Sequence, residues 1–258
     1  MAEKKVVTLK LENVSKSFAK VENDEVTHAL SNVSITMQSG EFVSLVGPSG
    51  CGKSTILRLV AGLITPTTGK LTVDGKEISE PAPDRGMVFQ KPTLFPWLTV
   101  HDNISFSLKR QGKFKGNEHK VERMLDITGL QKFRDDYPGQ LSGGMAQRVA
   151  LVRSLINEPS ILLLDEPLGA LDAFTRMNMQ DEILKIWQAR QQLAIMVTHD
   201  VDEAIYMGTR VIVLEANPGR VIADIKISEP YPRDRSSAAF VEYRNEILNR
   251  LHFGGRHK

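Results

Sequence analysis

The chain has 258 residues, 41% of them hydrophobic and 25% charged, with a formal net charge of +2. This is the balance of an ordinary soluble globular protein, and it supplies no basic field for nucleic acid. Cys51 is the lone cysteine, which excludes an intramolecular disulfide; "MAEKKVVTLKLE" lacks a signal-peptide core, and no apolar run approaches the ~18 residues of a membrane span.

In chain order, "VVTLKLENVSKSF" (6–18) alternates apolar and polar residues, which predicts a half-buried strand. "EFVSLV" (41–46) is a short apolar, β-rich run, and "ILRLVAGL" (56–63) has helical spacing. "KLTVDGKEI" predicts a hairpin turning at Asp74-Gly75, and "RGMVF" (85–89) another short strand. "TLFPWLTVHDNI" (93–104) is expected to be a loop that keeps Phe95, Pro96 and Trp97 together as a protein-docking surface, or else to pack its own subdomain. The basic run from Lys109 to Lys120 reads as a solvated loop or helix face. From about Asn117 to Asn157 the pattern is helical. Three apolar strands follow, "ILLLD", "AIMVTH" and "RVIVLE", with a long amphipathic helix between the first two. "NPG" turns the chain into "RVIADIKI", and "SSAAFVEYRNEILNRL" closes it as a helix. Strands alternating with helices predict an α/β fold with a mostly parallel sheet, an antiparallel start and a helical insertion.

The chemistry concentrates in a few stretches. "GPSGCGKST" (47–55) stands between a strand and a helix start, where backbone N–H groups and the helix dipole favour an anion. Gly47, Gly52, Lys53 and Ser54 fit the phosphate-loop spacing, with Lys53 reaching the outer phosphates and Ser54 ligating Mg²⁺. Cys51, inside this loop and next to a helix N-terminus and Lys53, is expected to be a reactive thiolate, or else a buried and inert thiol. "ILLLDEP" puts Asp165 and Glu166 at the end of an apolar strand; Asp165 is placed for Mg²⁺ and Glu166 for the attacking water. His199 ends "MVTHD" and either reaches the γ-phosphate or is structural. In "QLSGGMAQRVAL", Ser142, Gly143 and Gly144 open a helix without acids in its first turn. That segment is a second anion-ready helix start, which invites a head-to-tail dimer, or a plain N-cap.

Taken together, "GPSGCGKST", the Gln of "VFQ", "LSGGM", "ILLLDEP", "GALD" and "VTHD" resemble, in order and spacing, the ATP-binding cassette (ABC) ATPases. The resemblance implies a P-loop NTPase (RecA-like) core over residues 7–230, with a helical subdomain inserted at about 92–158 and a helical extension over 231–258. It implies ATP and Mg²⁺ as ligands, with Gly47, Pro48, Ser49, Gly50, Cys51, Gly52, Lys53, Ser54 and Thr55 as the phosphate cradle and Phe18 stacked on adenine. Gln90 is then the glutamine that senses the metal and the water, and Ser54, Gln90 and Asp165 surround Mg²⁺. Glu166, His199, Gln90 and Lys53 carry the hydrolysis, while Ser142, Gly143, Gly144 and Asp172 meet the nucleotide of an opposite subunit. Met145 and Ala146 depart from the commonest residues after the signature glycines, without removing a phosphate contact.

Longer stretches, including "GALDAFTR" and "VTHDVDEAIYMGTRVIVL", are similar to ATPase subunits of the nitrate/sulfonate/taurine importer group. That likeness implies a peripheral protein at the cytoplasmic face of the cell membrane. Its partners are a separate integral-membrane permease subunit, a second copy or a homologous ATPase subunit, and indirectly a solute-binding protein. The rival reading is a soluble, non-transport ABC ATPase, which usually fuses two cassettes or carries a coiled coil; neither feature is in this sequence.

Overall fold

The computed structural model describes residues 6–19, 26–169 and 171–251. The chain opens with strands β1 (Thr8–Ala19), β2 (Val26–Gln38) and β3 (Phe42–Val46), then helix α1 (Lys53–Val60), β4 (Thr68–Val73) and β5 (Lys76–Glu77). β6 (Arg85–Val88), α2 (Val100–Arg110), α3 (Glu118–Ile127), α4 (Gly143–Leu155), β7 (Ile161–Asp165) and α5 (Ala173–Arg190) follow. β8 (Leu193–Val197), α6 (Val201–Met207), β9 (Arg210–Glu215), β10 (Arg220–Lys226) and α7 (Ala238–Arg250) complete it. The chain divides into two units, residues 1–82 with 191–258, and residues 83–190.

In the first unit β2, β1, β4 and β5 form an antiparallel sheet in that order. Asp74 and Gly75 both take positive φ (51° and 79°), the conformation a two-residue hairpin turn demands of them. β2 has no counterpart among the strands expected from the sequence. Its apolar side chains do face one side, yet the buried set runs Leu30, Val33, Ile35, Met37, with an odd step across Asn32, whose φ is 52°. An irregularity there breaks the two-residue period that sequence reading depends on.

The same unit holds a second sheet in which β3 pairs in parallel with both β8 and β9, while β10 runs antiparallel to β9. Every residue of β3 and β8 is buried, as strands covered on both faces must be. Two ties hold the last helix and the segment leading into it. Arg244 makes a two-pronged ion pair with Asp202 of α6 (2.5 and 2.7 Å), and the buried Arg233 guanidinium donates to the carbonyls of Ile205, Tyr206 and Gly208. Residues 252–258 of the expected C-terminal extension lie outside the described residues.

In the second unit β6 and β7 pair in parallel, Arg85 opposite Ile161 through Val88 opposite Leu164. The expected loop over 93–104 is corrected here: it ends at Thr99, whose hydroxyl caps α2 by accepting from the Asp102 N–H (3.1 Å). Val100, Ile104 and Leu108 then bury one face of that helix. Pro96 and the two aromatics disguise this helix start in sequence. The buried Asn103 pins the loop, accepting from the Phe95 N–H (2.9 Å) and donating to the carbonyls of Phe95, Leu98 and Thr99. α5 is the long amphipathic helix expected, burying Met179, Ile183, Leu184 and Trp187 along one face.

Candidate nucleotide site

In the first unit the parallel register does most of the positioning. Leu45 stands opposite Val197, so the loop after β3 and the turn after β8 leave the sheet side by side at its C-terminal edge. Gly47 and His199 each lie two residues beyond that pair. His199 is exposed, and its turn is held by Asp200, which caps α6 through the N–H groups of Asp202 and Glu203 (2.9 and 3.1 Å).

Along the loop, Pro48, Ser49 and Gly50 are exposed, whereas Cys51 and Lys53 are buried. Gly52 caps α1 at φ 87° without a side-chain bond, and the first turn of α1 carries no acid. A Cβ on Gly52 would collide with Leu30, and one on Gly47 would lie 2.5 Å from the Leu214 carbonyl. These are close backbone approaches that only glycine permits. The Lys53 ammonium sits under the loop, donating to the carbonyls of Gly47 (2.7 Å) and Pro48 (3.0 Å). Bare N–H groups at an uncapped helix start, with a fixed cation beneath them, fit a phosphate chain.

The expected reactivity of Cys51 is corrected. Its thiol is fully buried, 3.6 Å from Lys53 Nζ, and burial pushes its pKa up more than the lysine pulls it down. Desolvation of the charged form outweighs the helix-end and lysine fields. We expect native protein to resist a maleimide and to label with one adduct per chain only in guanidinium. Stoichiometric labelling of the folded chain, followed by mass spectrometry, would show that the loop opens.

In the second unit the register places Gln90 opposite Glu166, and the Gln90 amide donates to a Glu166 carboxylate oxygen (2.9 Å). Asp165 is buried at the end of β7, and Glu166 is held at φ 45°, a left-handed conformation that is costly for a residue with a side chain. Gln147 of α4 donates to the carbonyl of Phe89, immediately before Gln90 (3.5 Å).

Ser142 caps α4, accepting from the Met145 N–H (3.3 Å), and both Ser142 and Gly143 are exposed. The cap reading and an open helix start therefore coexist. A Cβ on Gly144 would lie 3.0 Å from the methyl of Thr175, whose N–H donates to Asp172 (3.1 Å). Hydrogen bonds from the Thr175 hydroxyl, and secondly from its N–H, hold the exposed Asp172 carboxyl below its usual pKa. Ser142, Gly143, Gly144 and Asp172 thus gather around the start of α5. Phe18, at the far end of β1, is half-exposed with the Lys16 ammonium 5.0 Å above its ring centroid.

Sequence reading missed the support beneath the phosphate loop. Gly219 packs against the carbonyls of Cys51 and Ala29, its N–H donates to Ala29 (3.2 Å), and its carbonyl accepts from Ser31 (2.9 Å). The signal was the "NPG" turn, which read only as a change of direction. Among the described residues no three His, Cys, Asp or Glu side chains converge as a metal site.

A glycine-rich strand-to-helix loop over a buried lysine, together with an Asp-Glu pair ending an apolar strand, defines a P-loop nucleoside triphosphatase. Comparison with known proteins narrows the class. The family model for ABC transporters matches residues 30–169. An uncharacterised ABC transporter ATP-binding protein of Methanocaldococcus jannaschii is 49% identical, over 95% of this chain and 91% of its own. An aliphatic sulfonates import ATP-binding protein of Bacillus cereus is 42% identical over 96% of this chain and 98% of its own. A taurine import ATP-binding protein of Roseobacter denitrificans is 42% identical over 94% of this chain and 93% of its own. A dimeric post-hydrolysis cassette bound to ADP and Pi superposes with a TM-score of 0.74 at 34% identity, covering 86% of this chain and 100% of that one. The chain belongs to the ABC transporter family, and its fold is that of an ABC ATPase.

Proposed function

We propose that this chain is the ATP-hydrolysing subunit of an importer for a small solute of the nitrate, sulfonate or taurine type, working as a head-to-tail dimer on a separate permease. The observation that carries the hydrolytic part is the Gln90–Glu166 hydrogen bond, which ties a sensing amide to a carboxylate residue held at a left-handed φ of 45°. Relatives named as sulfonate and taurine import subunits support the transport part.

In this reading the N–H groups of the loop 47–55 cradle the phosphates of ATP and Lys53 offsets their outer charge. Ser54, Gln90 and Asp165 hold Mg²⁺, which when bound neutralises charge developing on the transferred phosphoryl group. Glu166 orients and deprotonates the attacking water, His199 contacts the γ-phosphate, and Phe18 stacks on adenine. Ser142, Gly143, Gly144 and Asp172 serve the partner's nucleotide. Trp97, 70% exposed, and Phe95, 5.6 Å from it, offer the permease an aromatic contact. Among the described residues no helix is long and apolar enough to cross a membrane, so attachment to the cytoplasmic face runs through that partner.

The reading is tested by co-purification from membranes with an integral-membrane subunit that raises ATP turnover. Full ATPase activity with no such partner would favour the non-transport ATPase instead. The dimer has its own test. Ser142→Arg is expected to abolish ATP-driven dimerisation while sparing ATP binding by the monomer, because the added guanidinium projects into the partner's site. Mixing it with Lys53→Ala chains creates one site damaged from both sides and one intact site, so sizing chromatography should recover an ATP-induced dimer. Failure of the mixture to dimerise would reduce the "LSGG" stretch to a helix cap.

A further inference from the structure

The second unit contains a cavity of about 440 Å³ that involves none of the residues assigned to nucleotide chemistry. It lies where α3 meets the C-terminal ends of α4 and α5. Its floor is apolar, from Met124, Ile127, Ile156 and Ile186, and its walls carry Lys120, Arg123, Lys185 and Arg190. The single carboxylate lining it, Glu158, is already engaged by Lys120 (3.1 Å). Two acids of the same helices are occupied elsewhere: Glu122 with Arg134 (3.3 Å) and Glu182 with Arg148 (3.4 Å). Arg190 uses one nitrogen to cap the Leu155 carbonyl (3.1 Å).

Three further cations, Arg123, Lys185 and Arg190, therefore line the same apolar cavity against that one carboxylate. Burial pushes the Arg190 pKa down; Glu158 pulls it up, and like-charge repulsion from the nearby Arg123 lowers it by less than Glu158 raises it. An anion between them would reverse the sign of that interaction. A bare inorganic ion would leave the floor wet, and a neutral hydrocarbon would leave the cations uncompensated. The volume is that of a small-molecule pocket.

We propose that this cavity binds an organic monoanion with a short aliphatic tail, its carboxylate or sulfonate headgroup between Arg123, Lys185 and Arg190 and its tail on Met124, Ile127, Ile156 and Ile186. Occupancy would fasten α3 to the ends of α4 and α5, the two helices whose opposite ends carry Ser142–Gly144 and Asp172. The site is thus placed to influence the surface offered to a partner cassette. The binding claim itself does not depend on the proposed transport role.

Isothermal titration of the full chain with hexanesulfonate tests it, with sodium sulfate and 1-hexanol as controls. Saturable one-to-one binding of hexanesulfonate, and of neither control, is the expected result. Arg123→Gln and Lys185→Gln, both at exposed positions, should each weaken binding about tenfold, the effect of losing one hydrogen bond to a charged group. Lys113→Gln, outside the cavity, should leave it unchanged. Equal binding of sulfate or hexanol, no saturable binding, or indifference to both cavity variants would overturn the proposal. Capture by phosphatidylglycerol vesicles without hexanesulfonate binding would overturn it too, assigning the cations to a membrane surface.

Discussion

Glu166→Gln is expected to bind ATP as tightly as the parent, to accumulate as an ATP-bound dimer and to turn over more slowly by about 10² or more, the usual worth of a positioned base. The substitution is nearly isosteric. The Gln90 amide donates to a Glu166 carboxylate oxygen at 2.9 Å, and a glutamine carbonyl can accept the same bond. The pairing of β6 with β7, which sets Gln90 opposite Glu166, depends on main-chain bonds the side chain does not touch. What disappears is the negative charge that polarises water, so binding and chemistry should separate cleanly. Steady-state phosphate release, alongside sizing chromatography with and without ATP, reads both quantities. Turnover within about threefold of the parent would remove Glu166 from the reaction, because loss of an essential base shows as a fall in kcat. The strained φ of 45° would then need another explanation.

How much of this was legible in the sequence depends on the range of the interactions. The phosphate loop was readable because its chemistry is local: backbone freedom, a lysine and a hydroxyl within nine positions. The β3, β7 and β8 strands were readable because burial on both faces leaves a mostly apolar run, interrupted in β3 only by Ser44. β2 was not, because a left-handed Asn32 shifts its period midway. The start of α2 was masked by Pro96 and two aromatics, while the residue that fixes the loop, Asn103, acts through carbonyls that carry no side-chain signature. Cys51 illustrates competing fields most directly. Proximity to a helix end and a lysine is visible in sequence and argues for a thiolate. The burial that defeats it is not visible there: Gly47 packs on the Cys51 sulfur, and Gly219, from far along the chain, packs on the Cys51 carbonyl. The Gln90–Glu166 pair lay between, since each residue was legible alone and their contact needed the parallel register.

Lys53→Ala should be the most damaging single change. The lysine side chain is buried to 7% exposure, and its ammonium is held by the Gly47 and Pro48 carbonyls. A cation so fixed needs little reorganisation to meet a phosphate, which makes it a preorganised electrostatic contact. Removing a comparable donor costs about 3 kcal/mol or more in the transition state, so hydrolysis should fall at least ~10²-fold, and nucleotide binding should weaken as well. Two loop carbonyls also lose their partner, so ATP is expected to raise the melting temperature of the parent and to leave that of the variant nearly unmoved. Lys53→Arg separates charge from shape. A guanidinium keeps the charge but is planar and larger, and the space beneath the loop is closed by the Cys51 sulfur at 3.6 Å. That variant should therefore also lose hydrolysis, although a charge alone would predict rescue. Calorimetric melting with and without Mg-ATP, together with phosphate release, checks all three proteins. Near-normal hydrolysis by Lys53→Ala with unchanged affinity would contradict the phosphate-loop assignment itself. Rescue by Lys53→Arg would show instead that the loop is looser around its cation than the buried Cys51 implies.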